Sequence, residues 1–421
     1  TQAQWEEPKK NLNDSSLITL QDVIDEKALP VKKETQTAWR AEGASCLVLE
    51  KSEAIEDGKD LYDWNPETDE KALLLSAETF IPDGHNKPLK LENQRNLTWS
   101  PDEKKLLIYT NTQKVWRANS RGDYWVLDLQ THSLRQLGAK FDPATLMFAK
   151  FSPDSDRVAY VQDRNIYVED LDQDRIKQLT TRKKDTIING TTDWAYEEEF
   201  QIRDGFKWSE DGKHIAYFQF DTEGVGTFHL ANYLAGTYSE IIPLPYPKVG
   251  TTNSSVRIGV VSSTRARTKW FDDLPGDPRQ HYIPRFNWAG NSENIVFQRM
   301  NRHQNTSTLW MGNLKSGTLR PFFEETSPTW ISVHNHMTWF EDDDSFLWQS
   351  ETDGWRHFYS VTRDGKRKTL ITKGDYDVIS LIKFDERSGW LYFIASPDEP
   401  AQRYLFRERL DGTGKAERLT P

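Results

Sequence analysis

Short, mainly hydrophobic runs, each preceded by a polar turn, recur along most of the chain. The run 106–109 follows an aromatic residue and a polar turn, Trp-Ser-Pro-Asp at 99–102. A short hydrophobic run bounded by turn residues is typical of a β-strand. Proline presets φ, aspartate bonds its own backbone and glycine takes positive φ, so these turns favour hairpins. Further copies begin at Phe151, Trp208, Trp288, Phe340 and Phe384, with predicted strands at 158–161, 215–220, 295–298, 346–349 and 390–394.

Several of these units contain a second predicted hairpin, as at 123–129 with 133–137 and at 165–171 with 176–180. The copies begin 44 to 57 residues apart, except for one interval of 80 that would hold insertions, and four-stranded units of roughly 40–50 residues are typical of propeller blades. A single blade cannot bury both faces, so blades stack around an axis. An earlier copy at 39–75 brings the visible units to seven. We therefore predict an all-β fold, a β-propeller of four-stranded blades, because a β-sandwich would not explain the recurring register.

The residues before the first unit have a different composition. Residues 1–38 are polar and rich in Lys and Glu, and hydrophobic residues at 16–28 recur at roughly helical spacing. We predict an N-terminal arm over 1–38 and the propeller over 39–421.

Composition narrows the classes of partner. The net charge of -11 and the pI near 5.4 argue against nucleic acid and anionic membranes as partners, because both would be repelled. No segment approaches the roughly 18 consecutive apolar residues of a membrane span. The single cysteine, Cys46, excludes an internal disulfide and any zinc site built on several cysteines. The sequence gives no reason to expect a cofactor.

Three consecutive glutamates, Glu197 to Glu199, stand between large aromatic residues in the segment 193–200. The aromatic residues favour burial, so the acids should be fixed to a surface rather than carried on a polar loop. Residues 195–199 suit one helical turn with Asp193 as N-cap. Adjacent carboxylates repel each other unless a cation arrives, and an ammonium or guanidinium group fits that role. The alternative is that the acids face water or pair with Arg203 and Lys207.

Other candidate residues leave more than one interpretation open. Arg117 follows Trp116 between the predicted strands 106–109 and 123–129, and it could pair with the acids, orient a ligand carbonyl or stack on Trp116. His334 and His336 would share a face of a strand, as metal ligands or as structural histidines. The acidic run 341–344 is a solvated turn or a calcium site.

No Gly-X-Ser-X-Gly sequence occurs, so the chain carries no α/β-hydrolase nucleophile of that type. The segment 193–200, Asp-Trp-Ala-Tyr-Glu-Glu-Glu-Phe, nevertheless resembles the signature of the dipeptidyl peptidase IV family of serine exopeptidases. The resemblance extends over roughly 40–421 in the family's order. It includes the segments 208–217, 246–250, 299–305, 348–357, 370–374 and 410–414.

The resemblance implies an eight-bladed propeller that gates and anchors substrates for a C-terminal α/β-hydrolase domain absent from this chain. It implies that Glu198 and Glu199 hold the free N-terminal ammonium of a peptide and that Arg117 holds a carbonyl. The whole protein would then be a serine-type peptidase that releases X-Pro or X-Ala dipeptides, and this chain alone would be inactive. Contacts that some relatives make near 327–335 have no clear arginine here.

The resemblance also implies a periplasmic or extracellular location, and a homodimer is a further expectation. Two other functions remain open. A non-catalytic propeller could bind peptides or proteins, and a structural repeat protein could carry its acids in solvent.

Overall fold

The computed structural model describes residues 38–39, 45–333, 337–342 and 344–421. The helix predicted at 16–28 and the pair His334 and His336 lie outside these residues. The described residues form two compact units. One holds the described residues up to Glu78 with Glu92–Arg95, and the other holds Thr79–Leu91 and Asn96–Pro421.

The strands fall into seven successive groups, called blades below. The first blade, in the first unit, contains β1 (Ala38–Trp39), β2 (Cys46–Lys51), β3 (Lys59–Asn65) and β4 (Glu70–Leu75). The second contains β5 (Leu97–Trp99), β6 (Lys105–Val115), β7 (Ala118–Asp128) and β8 (Leu134–Gln136). The third contains β9 (Leu146–Phe151), β10 (Arg157–Gln162), β11 (Asn165–Asp170) and β12 (Arg175–Gln178).

The fourth blade is larger than the others and has an additional hairpin. It contains β13 (Ile187–Asn189), β14 (Phe206–Trp208), β15 (His214–Asp221), β18 (Ser255–Ser262) and β19 (Thr268–Phe271), with the hairpin β16 (Thr227–Asn232) and β17 (Glu240–Pro245) inserted between β15 and β18. The helix α1 (Trp194–Phe200) lies between β13 and β14. Single 3-10 turns occupy Ala77–Phe80 and Gln94–Asn96.

The last three blades are regular antiparallel meanders. The fifth contains β20 (His281–Trp288), β21 (Asn294–Asn301), β22 (Thr306–Asn313) and β23 (Leu319–Thr326). The sixth contains β24 (Met337–Trp339), β25 (Ser345–Ser350), β26 (His357–Thr362) and β27 (Lys368–Leu370). The seventh contains β28 (Val378–Asp385), β29 (Trp390–Ala395), β30 (Tyr404–Arg409) and β31 (Glu417–Arg418).

In the second unit, each hydrophobic core is shared by two successive blades. The core between the fourth and fifth blades includes Phe218, Ile258 and Phe297, each fully buried. Equivalent cores join the second blade to the third, the third to the fourth, the fifth to the sixth and the sixth to the seventh. Because the third to sixth blades each bury both faces against neighbouring blades, these blades stack as a propeller requires. The predicted all-β propeller is confirmed.

The aromatic residues that begin the repeats connect neighbouring blades. The indole Nε1 of Trp208 donates a hydrogen bond to the carbonyl of Lys150 at 3.3 Å, and that of Trp288 donates to the carbonyl of Lys207 at 3.3 Å. The turns follow the predicted logic, since Ser209 Oγ donates to Asp211 Oδ1 at 2.7 Å. The structure therefore gives the repeated aromatic residue a role in joining blades as well as in packing.

The predicted strands that follow the anchors are all present; β6 runs six residues beyond its predicted end, and the others extend by at most three residues at an end. The seven visible units correspond to the seven described groups of strands, and the family's count of eight stays a prediction. No helix among the described residues is long and apolar enough to cross a membrane.

Two glutamates occupy the same place in their blades but have different surroundings. Glu169 is the fifth residue of β11 and accepts hydrogen bonds from Arg135 at 2.7 Å and from the hydroxyl of Tyr160 at 3.1 Å. Glu408 is the fifth residue of β30, and Phe393 stands where the third blade has Tyr160. Glu408 is fully buried, with no ion pair or side-chain hydrogen bond among the described residues. Burial raises the pKa of Glu408 to about 7.

We predict that Glu408→Gln stabilises the protein in a pH-dependent way. Because the folded pKa lies above the ordinary value, ionisation of Glu408 opposes folding, and the penalty grows from about pH 4.5 until it is complete above pH 7. The free energy of unfolding should rise by up to about 3 kcal/mol at pH 8 and by much less at pH 5. Urea unfolding at both pH values measures this, with the exposed Glu210→Gln as control. Equal stabilisation at pH 5 and pH 8 would contradict the interpretation.

Candidate substrate-anchoring site

The acidic segment is inserted into the first strand of the fourth blade. β13 pairs with one end of β15 and β14 pairs with the other, so α1 and its flanking residues leave and re-enter the sheet between them. Gly190 and Gly205 form the neck of the insertion, where the amide of Gly205 donates to the carbonyl of Gly190 at 3.1 Å. A Cβ on Gly205 would lie 2.8 Å from the carbonyl carbon of Gly190. The close approach explains glycine at this position.

The helix α1 begins and ends with specific hydrogen bonds. Asp193 is the N-cap and accepts from the amide of Tyr196 at 3.0 Å, as predicted from the sequence. Its other oxygen accepts from Ser254 Oγ at 2.6 Å, and burial raises the pKa of Asp193. At the other end, Arg285 donates to the carbonyl of Phe200 at 2.7 Å. The helix predicted for this segment is confirmed and is longer than the single turn expected, because α1 spans seven residues, about two turns.

Aromatic burial fixes α1 to the fourth and fifth blades. Tyr196 is 3 % exposed, and its hydroxyl accepts from the amide of Ile283 on β20 at 2.9 Å. Its ring meets Phe220 edge to face with centroids 4.6 Å apart. On the other side, Trp194 lies against Tyr246 at 4.1 Å between centroids. These contacts hold the acids at a defined position on the blade surface.

The three adjacent glutamates have three different environments. Glu197 is buried and forms an ion pair with Arg203 Nε at 2.6 Å. Glu198 is mostly buried and pairs with Arg117. Glu199 is exposed, and it makes no hydrogen bond or ion pair among the described residues. Successive residues of a helix diverge by about 100°, which accounts for the separation.

Arg117 lies in the turn between β6 and β7 and reaches the helix from the second blade. Its Nε lies 2.6 Å from both carboxylate oxygens of Glu198, and this ion pair raises the pKa of Arg117. The two Nη atoms make no hydrogen bond within the described residues, and the side chain is 72 % exposed. Of the interpretations left open, the structure shows Arg117 paired with an acid rather than stacked on Trp116.

Glu199 lines a cavity of about 1020 Å³. The wall beside Glu199 is aromatic, with Trp194, Phe228, Tyr246 and Tyr282. Arg302 and Lys248 add positive charge to the lining. Such a cavity could hold several residues of a peptide, with an acid on one wall and apolar rings on another.

Sequence reasoning missed several residues that position the site. Ser254, Ile283 and Arg285 are far from α1 in sequence, and they bond to its N-cap Asp193, to Tyr196 and to the carbonyl of Phe200. Lys207, which was considered as a partner of the acids, instead donates to Asn287 Oδ1 at 3.2 Å. Gly190 and Gly205, on either side of the acidic segment, were the available signal for an insertion.

The described residues contain no group of three or more His, Cys, Asp or Glu side chains that could hold a metal ion. In the acidic run, the described residues serve as turn residues, since Asp344 N donates to Asp342 Oδ1 at 2.9 Å. Asp343 lies outside the described residues.

A comparison with protein families finds one family model that matches most of the chain. The model of the dipeptidyl peptidase IV (DPP IV) N-terminal region matches residues 100–421, which include Arg117 and α1. The chain belongs to this family. The match covers most of the chain and agrees with the resemblance that the sequence shows to this family.

Individual relatives agree with the family assignment. A protein named "Probable dipeptidyl-aminopeptidase B" from Phaeosphaeria nodorum is 28% identical over 349 residues, which are 76% of this chain and 38% of that protein. Its namesake from Pyrenophora teres f. teres is 25% identical over 434 residues, 95% of this chain and 47% of that protein. The chain spans less than half the length of these relatives.

The solved structure of Porphyromonas gingivalis dipeptidyl peptidase 4 has the same fold. It superposes with a TM-score of 0.83 at 23% identity, over 96% of this chain and 55% of that chain. At this identity the similarity shows the fold alone, and the fold agrees with that of the DPP IV N-terminal family.

We predict that Asp193→Ala loosens α1 and that Asp193→Asn does so much less. Alanine removes the cap of Tyr196 and leaves the hydroxyl of Ser254 without its acceptor, which should lower the free energy of unfolding by about 2 kcal/mol. Asparagine keeps the shape and an acceptor oxygen. Urea unfolding midpoints measure both variants. Equal midpoints for the alanine and asparagine variants would contradict the role assigned to the cap.

Proposed function

We propose that this propeller anchors the free N-terminus of a peptide substrate in a serine-type dipeptidyl peptidase. Glu198 and Glu199 would accept hydrogen bonds from the substrate ammonium, and Arg117 would hold a substrate carbonyl. The observation that carries the proposal is the geometry of Arg117. Its Nε is occupied by Glu198 while its Nη atoms are left for a ligand, and Glu199, the next residue of the helix, is exposed and has no partner among the described residues.

The charges of the site favour a cationic ligand over a neutral one. Glu197 is neutralised by Arg203 and Glu198 is shared with Arg117, so Glu199 is the acid whose charge remains. An ammonium at this point would form charge-assisted hydrogen bonds, which contribute roughly 1.5–3 kcal/mol each. An acetylated amine has no charge to offer and would leave Glu199 unpaired. The site would therefore select unblocked N-termini.

Anchoring the N-terminus would also explain how the whole protein selects the second peptide bond of its substrate for cleavage. The acids lie on a helix fixed between two blades, so their distance from a nucleophile elsewhere in the whole protein would be constant. A peptide held by its ammonium would then place its second peptide bond at that nucleophile. The release of X-Pro or X-Ala dipeptides, the gating of substrate entry and an exported location are parts of the same proposal.

A homodimer is also proposed for the whole protein. The hairpin of β16 and β17 carries Tyr233, Leu234 and Tyr238 at its tip, with exposed fractions of 79 %, 95 % and 89 %. Large apolar side chains that are this exposed are typical of interaction surfaces.

We predict that Glu199→Gln in the enzyme expressed from its full natural gene lowers kcat/KM for an X-Pro chromogenic substrate by roughly 10–100-fold. The estimate follows from the loss of one charge-assisted hydrogen bond. Glu198→Gln should reduce kcat/KM at least as much, because it also releases Arg117. Glu210→Gln, an exposed glutamate in a turn, is the matched control.

The N-acetylated twin of the substrate separates the possible outcomes. Cleavage of the free-amine form alone, lost in the two variants, would support the anchor and the peptidase. Equal cleavage of both substrates would contradict the anchor. Binding of the free-amine peptide without cleavage, measured by calorimetry, would favour the non-catalytic binding propeller instead.

A further inference from the structure

A second cavity, of about 850 Å³, lies between the turns of the third and fourth blades. We call it the basic groove. Its lining comes from the turn between β9 and β10, the turn between β14 and β15, and the turn between β18 and β19. The lining residues used below are Asp154, Arg157, Asp211, Lys213, Arg265, Arg267 and Lys269.

The basic groove lies on the opposite rim of the blades from Arg117. Strands in a blade alternate in direction, so the turn from first to second strand and the turn from third to fourth strand share one rim. The turns that line the groove are of these two kinds. The turn between β6 and β7, which carries Arg117, joins second and third strands and lies on the other rim. The groove is therefore separate from the anchoring site.

Two of the cations in the groove are neutralised by neighbouring carboxylates. Arg157 forms an ion pair with Asp154 and also donates to Ser263 Oγ at 3.0 Å. Lys213 Nζ lies 3.3 Å from Asp211 Oδ2. These four residues come from the turns that begin at Ser152 and Ser209. Within each pair the positive and negative charges cancel.

The remaining cations have no carboxylate partner. Arg265 and Arg267 are exposed, and neither side chain makes a hydrogen bond or ion pair among the described residues. Lys269 donates to the carbonyl of Leu314, and the neighbouring Lys177 donates to the carbonyl of Thr264. A carbonyl orients an ammonium but leaves its charge intact. Three uncompensated cations, Arg265, Arg267 and Lys269, therefore line the groove, and Lys177 lies beside the turn that carries the two arginines, in a chain whose net charge is -11.

The carbonyl hydrogen bonds give two of these charges fixed positions. An ammonium that is held by a backbone oxygen loses less conformational freedom when it binds an anion than a lysine free in solvent does. Arg265 and Arg267 add planar forks that match phosphate or sulfate oxygens. The four groups thus provide more positive charge than one anionic group requires.

We propose that the basic groove binds a compact polyanion that carries two or more phosphate or sulfate groups. The volume lies within the range of small-molecule sites, about 300–1,000 Å³. A long polyanion is disfavoured because Asp154 and Asp211 stand on the same lining and the whole chain is acidic. The ligand is defined by this chemistry, and phosphate and sulfate esters are both included.

The test is calorimetry on the full chain at low ionic strength with three probes, namely inorganic tripolyphosphate, a trisulfated heparin disaccharide and inorganic orthophosphate. We expect one or both polyanions to bind with one-to-one stoichiometry, at least ten times more tightly than orthophosphate. The double variant Arg265→Gln with Arg267→Gln should weaken binding at least tenfold. The two polyanions show whether phosphate or sulfate is preferred.

The matched control is Arg387→Gln, an exposed arginine in the turn between β28 and β29 of the seventh blade. Lys269→Gln is a second groove variant, useful if the double variant folds poorly by circular dichroism. Binding that is unchanged in the control and weakened by either groove variant supports the proposal. Failure of both polyanions to bind, or equal loss with Arg387→Gln, would overturn it.

Discussion

The burial of Tyr196 is the constraint on which the acidic site depends. Its ring is enclosed by the core between the fourth and fifth blades, and its hydroxyl accepts from the amide of Ile283. A seven-residue helix has little stability of its own, since helices this short are marginal in water. Tertiary contacts therefore hold α1, and these contacts fix the direction in which each of the following glutamates points.

Charge compensation then divides three similar carboxylates into different roles. Glu197 and Arg203 form a pair inside the insertion, while Glu198 receives Arg117 from another blade. Arg117 reduces the repulsion between the neighbouring acids without removing the charge of Glu199. A propeller suits this arrangement, because residues from different blades meet at one rim while each blade stays rigidly packed against its neighbours.

Much of the fold could be predicted because its determinants are local. The turns at 99–102 and at 209–212 fix hairpins through their own side chains, and Asp193 caps a helix within three residues. The partners of the helix could not be predicted in the same way. Ile283 and Arg285 reach α1 through the register of β20, which no local pattern specifies. The buried Glu408 was missed as well, since its isolation depends on Phe393 of the neighbouring strand.

The central claim is that Glu198 and Glu199 hold a substrate ammonium while Arg117 holds a carbonyl. A crystal structure of the protein expressed from its full natural gene, with an unblocked X-Pro dipeptide bound, tests it most directly. We expect the amine nitrogen to lie about 2.7–3.2 Å from an oxygen of each glutamate. We expect the dipeptide carbonyl oxygen to lie at a similar distance from an Nη atom of Arg117. An amine that points away from both glutamates would contradict it.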